Sequence, residues 1–409
     1  MSRMNEELVL DTTAFLKGLI RIPSLSGEED EAIAYVHDRF KPLCDEVELV
    51  PLSDALKEDP DYASPVPDIS YDGRYNLRAV IRGSGEGSSL LFNTHTDVVP
   101  PSAMQENAFD PVLEDGSLFG RGACDAKGQI AALYMLMKKI KSEGLRFKGD
   151  IIFHIVVEEE NGGNGTLAAI RRGEEADAAI VLEPTNLTIL PSVRGAVWFR
   201  VSCTGKPGHS GSGGKRISAL DLAVEAMGIM RKYHDDLLTE SKWIPLFDHY
   251  ADPMPITFGR LIAGDWPATI PNKAVLEGVL GFLSNRTRFE VMEELSKSIQ
   301  SHGSAELKEN FDIEFIYRHD THVLEVDHPL VTGLKKASEL RGVYKKISAM
   351  AASCDSWFYH NQLKIPTVVF GPGDLGVAHS NREHIRIDDL RKGAEILLSF
   401  TGMWCGFKK

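Results

Sequence analysis

Four short apolar segments constrain the fold of this chain more than any other feature of its sequence. They occupy residues 90–94, 151–157, 178–182 and 365–370. A helical pattern lies between them at residues 126–142, where apolar residues recur three and four positions apart. Strands that are apolar on both faces and alternate with helices are typical of an α/β domain. The sequence therefore predicts a mixed, largely parallel sheet with flanking helices.

Histidine and acidic side chains follow these segments directly or within one loop. The residues concerned are His95, Glu158 to Glu160, Glu183 and His379. Because the carboxyl ends of parallel strands meet at one edge of a sheet, we expect these side chains to lie together. Asp125 directly precedes the predicted helix and joins this set. Asp97 stands two positions after His95, on the same face of a strand, where it can orient the imidazole.

This combination of residue types points to metal-ion chemistry. Imidazole and carboxylate ligands without a thiolate suit zinc or a related divalent ion that keeps open positions. A glutamate run is by itself usually a solvated face, and a histidine after Gly371-Pro372-Gly373 is more often a surface residue. Only the joint arrangement favours a metal site. Two metals ~3.5–4 Å apart can polarise a carbonyl and activate water, while a further carboxylate shuttles the proton.

Composition bounds the remaining classes of function. The 409 residues are enough for two domains, and the net charge of −14 argues against nucleic acid or an anionic membrane as the main partner. No apolar run approaches the ~18 residues of a membrane span, and the first residues show no signal-peptide pattern. The five cysteines are odd in number and form no C-x-x-C pair. These features predict a cytoplasmic protein that acts on a small molecule.

Residues 193–320 show a different pattern. Predicted strands at 196–203, 256–261, 274–282 and 311–317 alternate with predicted helices at 217–233 and 289–300. The order β-α-β-β-α-β is that of a ferredoxin-like module. We therefore expect an inserted α+β lid or dimerisation domain at 193–320, between the segments 1–192 and 321–409 that form a catalytic domain.

Two features near the N-terminus also carry predictions. Residues 53–74 are rich in Asp, Pro and Ser and are predicted to form a long surface excursion. The glycine cluster Gly83-Ser84-Gly85-Glu86-Gly87 lies between predicted strands at 77–81 and 90–94. No helix follows it, which argues against a phosphate-binding loop and favours a β-hairpin.

Six motifs occur in a fixed order along the chain. They are Asn93-Thr94-His95-Thr96-Asp97-Val98-Val99-Pro100, Gly120-Arg121-Gly122-Ala123-Cys124-Asp125-Ala126-Lys127-Gly128, Glu158-Glu159-Glu160-Asn161-Gly162-Gly163, Leu182-Glu183-Pro184-Thr185, Gly208-His209-Ser210-Gly211, and Gly371-Pro372-Gly373 through His379 to Glu383. As a set they resemble the M20 metallopeptidase and deacylase family, which includes acetylornithine deacetylase, succinyl-diaminopimelate desuccinylase, aminoacylase and carboxypeptidase G.

The resemblance implies a site for two divalent ions, zinc first, with cobalt or manganese as alternatives. His95 and Glu183 would hold one ion, Glu160 and His379 the other, and Asp125 would bridge them. Glu159 would be the general base and Asp97 would orient the histidine. The family's first acidic residue is Asp where this chain has Glu158, so a register shifted back by one stays open. His209 would reach the partner subunit's site and stabilise an oxyanion, which implies a homodimer.

The expected function is that of a dinuclear-metal amidohydrolase that removes an N-acyl group from an amino acid or related small amine. The alternatives are a metallo-dipeptidase or carboxypeptidase on the same scaffold, and a non-catalytic metal-binding protein. Glu183 favours deacylation, because family dipeptidases tend to carry aspartate there. Two recognition residues of many relatives, an Asn and an Arg, are replaced by Ala268 and Gly281. The candidate replacements are Arg194, Arg260 and Asn272, and Asp355 matches a family position near the site.

Overall fold

The computed structural model describes residues 4–209, 211 and 216–408. Its helices are α1 (Glu6–Ile20), α2 (Asp30–Phe40), α3 (Lys127–Glu143), α4 (Asn164–Arg171), α5 (Ala219–Ser241), α6 (Arg288–His302), α7 (Ala305–Asn310), α8 (Pro329–Leu340) and α9 (Ile387–Trp404). Its strands are β1 (Glu46–Pro51), β2 (Tyr75–Ile81), β3 (Leu90–His95), β4 (Val112–Glu114), β5 (Ser117–Phe119), β6 (Ile151–Val156), β7 (Ala179–Val181), β8 (Ser192–Val193), β9 (Gly195–Thr204), β10 (Ile256–Ala263), β11 (Lys273–Phe282), β12 (Phe311–His319), β13 (His322–Val323), β14 (Ala349–Met350), β15 (Thr367–Val369) and β16 (His384–Arg386).

The chain divides into two compact units. The first consists of Met1–Ser192, Leu324–Ala349 and Cys354–Lys409, and the second of Val193–Val323 and Met350–Ser353. The second unit therefore interrupts the first along the sequence. Its use as a lid or dimerisation domain stays a prediction.

The first unit is built on a six-stranded sheet with the order β1-β2-β6-β3-β7-β15. Strands β6, β3, β7 and β15 run parallel to one another, whereas β2 pairs antiparallel with both β1 and β6. Every residue of β3 and β6 is buried, because helices such as α3 cover the sheet. The predicted fold class, a mixed and largely parallel sheet with flanking helices, is confirmed.

The predicted hairpin between residues 77–81 and 90–94 is wrong. Strand β2 pairs with β6, and β6 separates it from β3. The glycine cluster that looked like a hairpin turn lies instead against the residues that lead into β6. The Gly85 N–H donates to the Lys148 carbonyl, and a Cβ on Gly83 would lie 2.5 Å from the Gly149 backbone. Glycine at position 83 allows the backbone after β2 to approach closely the backbone that precedes β6. Strand β6 lies between β2 and β3 in the sheet.

The second unit contains a four-stranded antiparallel sheet with the order β10-β11-β9-β12. Helices α5 and α6 pack against this sheet. Helix α6 begins at a capping box in which Thr287 and Glu290 satisfy each other's backbone N–H groups. Along the chain the major elements follow the order β-α-β-β-α-β, with the short α7 before the last strand. None of the described helices is long and apolar enough to cross a membrane.

Candidate metal centre

Candidate ligands gather at the carboxyl ends of the parallel strands of the first unit. His95 is the last residue of β3, and Glu183 follows two residues after β7. The three consecutive glutamates follow β6, and His379 lies in the segment that connects β15 to β16. Asp125 comes shortly before α3, in the loop that leads from β5. The sheet topology thus brings together side chains that are up to 284 positions apart in sequence (379 − 95).

Two groups of possible ligand atoms result, and they share Asp125. The first group is His95, Asp125 and Glu183, and the second is Asp125, Glu160 and His379; within each, the ligand atoms lie within 4.8 Å of one another. Nε2 of His95 is 3.2 Å from Oδ1 of Asp125. Nε2 of His379 is 3.3 Å from Oδ2 of the same carboxylate and 2.8 Å from Oε1 of Glu160. Asp125 therefore offers one oxygen to each group.

Asp97 contacts both the histidine and the glutamate segment. Nδ1 of His95 lies 3.0 Å from the Asp97 carbonyl oxygen and 3.3 Å from its Oδ1. The Asp97 carboxylate also accepts the backbone N–H groups of Glu159 and Glu160, each at 3.0 Å, and the Ser26 hydroxyl at 3.2 Å. Asp97 thus fixes the His95 ring and, in addition, the backbone that carries two of the glutamates.

The glutamates of the triplet differ in their surroundings. Glu158 has a positive φ of 57°, and its buried carboxylate accepts the Tyr71 hydroxyl at 2.7 Å and contacts Arg74. Glu160 contacts His379. The charged groups that act most strongly on Glu159 are Glu183 and His95. Because Glu158 is already occupied by buried donors, this arrangement favours Glu159 and Glu160, rather than Glu158 and Glu159, as the base and ligand pair.

The cluster carries more acidic groups than cations. Burial, and then the neighbouring charge of Glu183, raises the pKa of Glu159. Burial, and then the Asp125 charge, raises the pKa of Glu183 and of Glu160. Burial opposes ionisation of Asp125 as well, but hydrogen bonds with His379 and His95 hold its pKa below the usual range. An excess of buried carboxylates around two imidazoles fits divalent cations.

An ion pair between Arg121 and Glu383 links the loop that carries Asp125 to the loop that carries His379. Glu383 accepts the backbone N–H groups of Cys124 at 3.0 Å and of Asp125 at 3.1 Å. Its other oxygen accepts Nη1 of Arg121 at 2.5 Å, and Nη2 of Arg121 lies 3.5 Å from the His379 carbonyl oxygen. Arg121 and Glu383 both fall inside the motif segments, but their pairing across 262 positions is visible only in the fold.

Asp355 lies buried in the first unit. Its Oδ2 accepts the Thr166 hydroxyl at 2.6 Å, whereas its Oδ1 has no hydrogen-bond partner among the described residues. Burial raises the pKa of Asp355 to about 7. Its match to a family position near the site stays a prediction.

His209 belongs to the second unit and to neither ligand group. Its side chain is exposed, and its Nδ1 accepts the Gly211 N–H at 3.0 Å. The intervening Ser210 of this motif lies outside the described residues. The role of His209 in a partner subunit's site stays a prediction.

Arg194 fills the space beside Gly281 in the second unit. A Cβ built on Gly281 would lie 1.8 Å from Nη1 of Arg194. Burial lowers the pKa of Arg194 to about 10, and its Nε and Nη1 have no hydrogen-bond partner within the described part of the chain. Arg260, by contrast, forms an ion pair with Glu277 at 3.3 Å. Of the candidate replacements for the recognition arginine, Arg194 is the one that takes the space at position 281.

Imidazole and carboxylate side chains at the carboxyl edge of an α/β sheet are a suitable arrangement for a metal-dependent hydrolase. The model of Peptidase family M20/M25/M40 matches residues 91–402. The chain belongs to this family, which confirms the resemblance seen in the motifs, and it is a hydrolase that acts on amide C–N bonds.

Individual relatives support the same placement. The chain is 28% identical to N-formyl-4-amino-5-aminomethyl-2-methylpyrimidine deformylase of Bacillus subtilis (strain 168), over 83% of this chain and 85% of that protein. It is 35% identical to succinyl-diaminopimelate desuccinylase of Methylobacterium sp. (strain 4-46), over 48% of this chain and 49% of that protein. The solved structure of the di-peptidase Dug1p from Saccharomyces cerevisiae shares the fold, with a TM-score of 0.78 at 15% identity and coverage of 98% and 97%.

Proposed function

We propose that this chain is a dinuclear-metal amidohydrolase that removes an N-acyl group from an amino acid or a related small amine. The observation that carries the proposal is that Asp125 presents one carboxylate oxygen to each of two ligand groups. The deformylase and the desuccinylase, by their names, both remove acyl groups. This favours a deacylase over a peptidase, and it does not single out acetylornithine.

The residues present fit two divalent ions, of which zinc is our first choice and cobalt or manganese the alternatives. His95, Asp125 and Glu183 would hold one ion, and Asp125, Glu160 and His379 the other. When bound, such a pair supplies Lewis acidity to the carbonyl group and to the attacking water. Asp97 would keep the Nε2 atom of His95 directed at its ion, because it engages the opposite ring nitrogen.

Glu159 would move the proton. It would accept a proton from water as the water oxygen bonds to the carbonyl carbon, and it would pass that proton to the amine nitrogen as the C–N bond breaks. The products are a carboxylic acid and an amine. Burial raises the pKa of Glu159, and a carboxyl group with a raised pKa is suited to return a proton near neutral pH. We propose that His209 of a second copy donates a hydrogen bond to the oxyanion.

A substrate panel tests the proposal. Metal-free protein is reloaded with Zn²⁺, Co²⁺ or Mn²⁺ and assayed on N-formyl, N-acetyl and N-succinyl amino acids and amines, and on dipeptides. We expect kcat/KM for the best acylated amine to exceed that for any dipeptide by at least about tenfold, the size of a modest specificity difference. Preference for dipeptides would establish the peptidase alternative. Bound metal without turnover of any compound on the panel would contradict the proposed deacylation.

A single substitution tests the base. Glu159→Gln should retain both ions, because Glu159 is not a ligand, and should lower kcat by roughly 10²–10⁴-fold, as expected for loss of a general base. Glu175→Gln, at an exposed position, is the matched control. An active Glu159→Gln together with an inactive Glu158→Gln would shift the base to Glu158.

We also propose a cytoplasmic homodimer that associates through residues 193–320. Light scattering at micromolar concentration should give the mass of two chains. A monomer would contradict the dimer and the action of His209 in a partner subunit.

A further inference from the structure

The buried Glu158 is the least expected member of the glutamate triplet. It is neither a ligand nor the base in the function proposed above, on which this inference rests. Its φ of 57° lies in the left-handed region that a non-glycine residue adopts only at a cost in free energy. This backbone turn allows the next two N–H groups, of Glu159 and Glu160, to reach the Asp97 carboxylate. The conformation of Glu158 therefore sets the direction of the two glutamates that follow.

Three donors hold the Glu158 carboxylate. The Tyr71 hydroxyl donates at 2.7 Å, Nδ2 of Asn164 donates at 3.0 Å, and Nη1 of Arg74 forms an ion pair. Nη2 of Arg74 reaches Oε2 of Glu29 at 2.5 Å, so the guanidinium bridges two fully buried carboxylates. Such charged pairs in the interior are costly to break, because either partner alone would be left unpaired.

Tyr71 and Arg74 come from the segment 53–74, which the sequence predicts to be a surface excursion. Its backbone is joined to the glutamate loop at further points. The Ala63 carbonyl accepts Nδ2 of Asn164 at 2.9 Å, and the Val66 N–H donates to Oδ1 of Asn161 at 2.9 Å. Gly162, with a φ of 110°, allows this approach, since a Cβ there would lie 2.1 Å from the Ala63 oxygen.

We propose that the segment 63–74 is a clamp that positions the base and one ligand. Tyr71 and Arg74 act on Glu158, Glu158 fixes the backbone turn, and the turn directs Glu159 and Glu160. Tyr71, Arg74 and Glu158 are thus positioning residues, since they touch none of the reacting atoms.

The mildest test is Tyr71→Phe, which removes one hydrogen bond to Glu158 and leaves every charge in place. Glu158→Asp keeps the charge but withdraws the carboxylate from its donors. For both variants we expect Co²⁺ affinity at one of the two sites, and kcat, to fall by about 10–100-fold, the usual effect of removing support from a metal ligand. The KM should change by less than about twofold, because the lost interaction acts on the reacting groups rather than on substrate binding.

Arg171→Lys provides the matched control. Arg171 also binds the excursion, through Asp59 at 2.6 Å and Asp61 at 2.8 Å, and no contact joins it to residues 158–160 among the described hydrogen bonds and ion pairs. It should leave kcat and the Co²⁺ isotherm unchanged. Arg74→Lys should lose activity as Tyr71→Phe does, because an ammonium cannot reproduce the two-armed bridge of a guanidinium.

The Co²⁺ titration needs no turnover, so it decides the inference even if the wild-type protein hydrolyses no acylated amine. Far-UV circular dichroism and the thermal midpoint show whether each variant is folded. If Glu158→Asp does not fold, Tyr71→Phe alone provides the test. Wild-type Co²⁺ binding and kcat in Tyr71→Phe, or an equal loss in Arg171→Lys, would overturn the clamp.

Discussion

The two ligand groups of this protein share a carboxylate but differ in their exposure to solvent. The side chain of His95 is 1% exposed, whereas that of His379 is 49% exposed. Glu183, in the first group, is buried, and Glu160, in the second, is partly exposed. We call the group of His95, Asp125 and Glu183 the inner group, and that of Asp125, Glu160 and His379 the outer group.

The groups also differ in how their histidines are held. Asp97 engages Nδ1 of His95, which leaves Nε2 directed at Asp125. Among the described contacts, those of the His379 ring go through Nε2, and the residue has a φ of 60° in a loop. A ligand with fixed orientation loses less freedom on binding a metal. We infer that the inner group binds its ion more tightly and that the outer group faces water and substrate.

The largest effect is expected where the groups meet. Asp125→Asn keeps the shape of the side chain but removes the negative charge that both groups use. We expect loss of tight binding of both ions and a fall in kcat/KM on the order of 10³-fold or more, since the Lewis acidity of the pair is worth several kcal/mol. Metal content per chain by mass spectrometry and kcat/KM give the result. Asp110→Asn, at an exposed position, is the control. A variant that keeps both ions would show that Asp125 is not shared.

Replacing each histidine separately tests the inequality of the groups. His95→Asn removes a ligand that is buried and oriented, and His379→Asn removes one that is half-exposed. We expect the first to lower kcat/KM by about 10–100-fold more than the second, in line with the effect of support around a metal ligand. Equal losses would contradict the distinction between an inner and an outer group.

These comparisons also show what the sequence can and cannot predict. The fold class follows from the segments at 90–94 and 151–157, because a strand covered on both faces must be apolar along its length. The ligand positions follow because strand ends meet at one edge. The pairing of β2 with β6 does not follow, since it joins two strands that β3 and α3 separate along the chain. Neither does the Arg74–Glu158 ion pair, which joins residues 84 positions apart.

A chelator of moderate strength should remove the ions in sequence. Dialysis of the metal-loaded protein against increasing dipicolinate should show a plateau at one ion per chain before the second is lost. The two steps of ion loss should be separated by a range of dipicolinate concentration that corresponds to at least about a tenfold difference between the metal affinities of the two groups. In the wild-type protein, loss of the first ion should coincide with loss of activity. In the His379→Asn variant, this first step of ion loss should be missing. Loss of both ions in one step would contradict the comparison.

The smallest effect concerns the pH dependence of the metal-free protein. Burial and neighbouring charge raise the pKa of Glu159 and Glu183 in the folded chain, so folding favours their neutral forms. Their contribution to stability is present below the unfolded pKa of about 4.3 and is lost as the pH rises through the folded values. Hydrogen bonds with Asp125 and Glu160 raise the pKa of His379 to about 11. The imidazolium therefore stabilises the fold below about pH 6.5, and this contribution is lost as the pH rises through the folded value.

Both contributions have the same sign, and Asp125, whose pKa is lowered, is ionised throughout this range. The thermal midpoint of the metal-free protein should therefore fall between pH 5 and pH 9, and solvent screening at the half-exposed His379 keeps this fall small. Metal ions offset the carboxylate charges, so the loaded protein should show a smaller fall. In the His379→Asn variant, the thermal midpoint should depend less on pH above pH 6.5. The substitution removes the imidazole of His379, which is the titrating cation of the outer group. Scanning calorimetry in the presence of a chelator, and again in the presence of Zn²⁺, measures the thermal midpoint. A midpoint that rises with pH in the metal-free protein would contradict the excess of buried acidic groups on which the two-ion site depends.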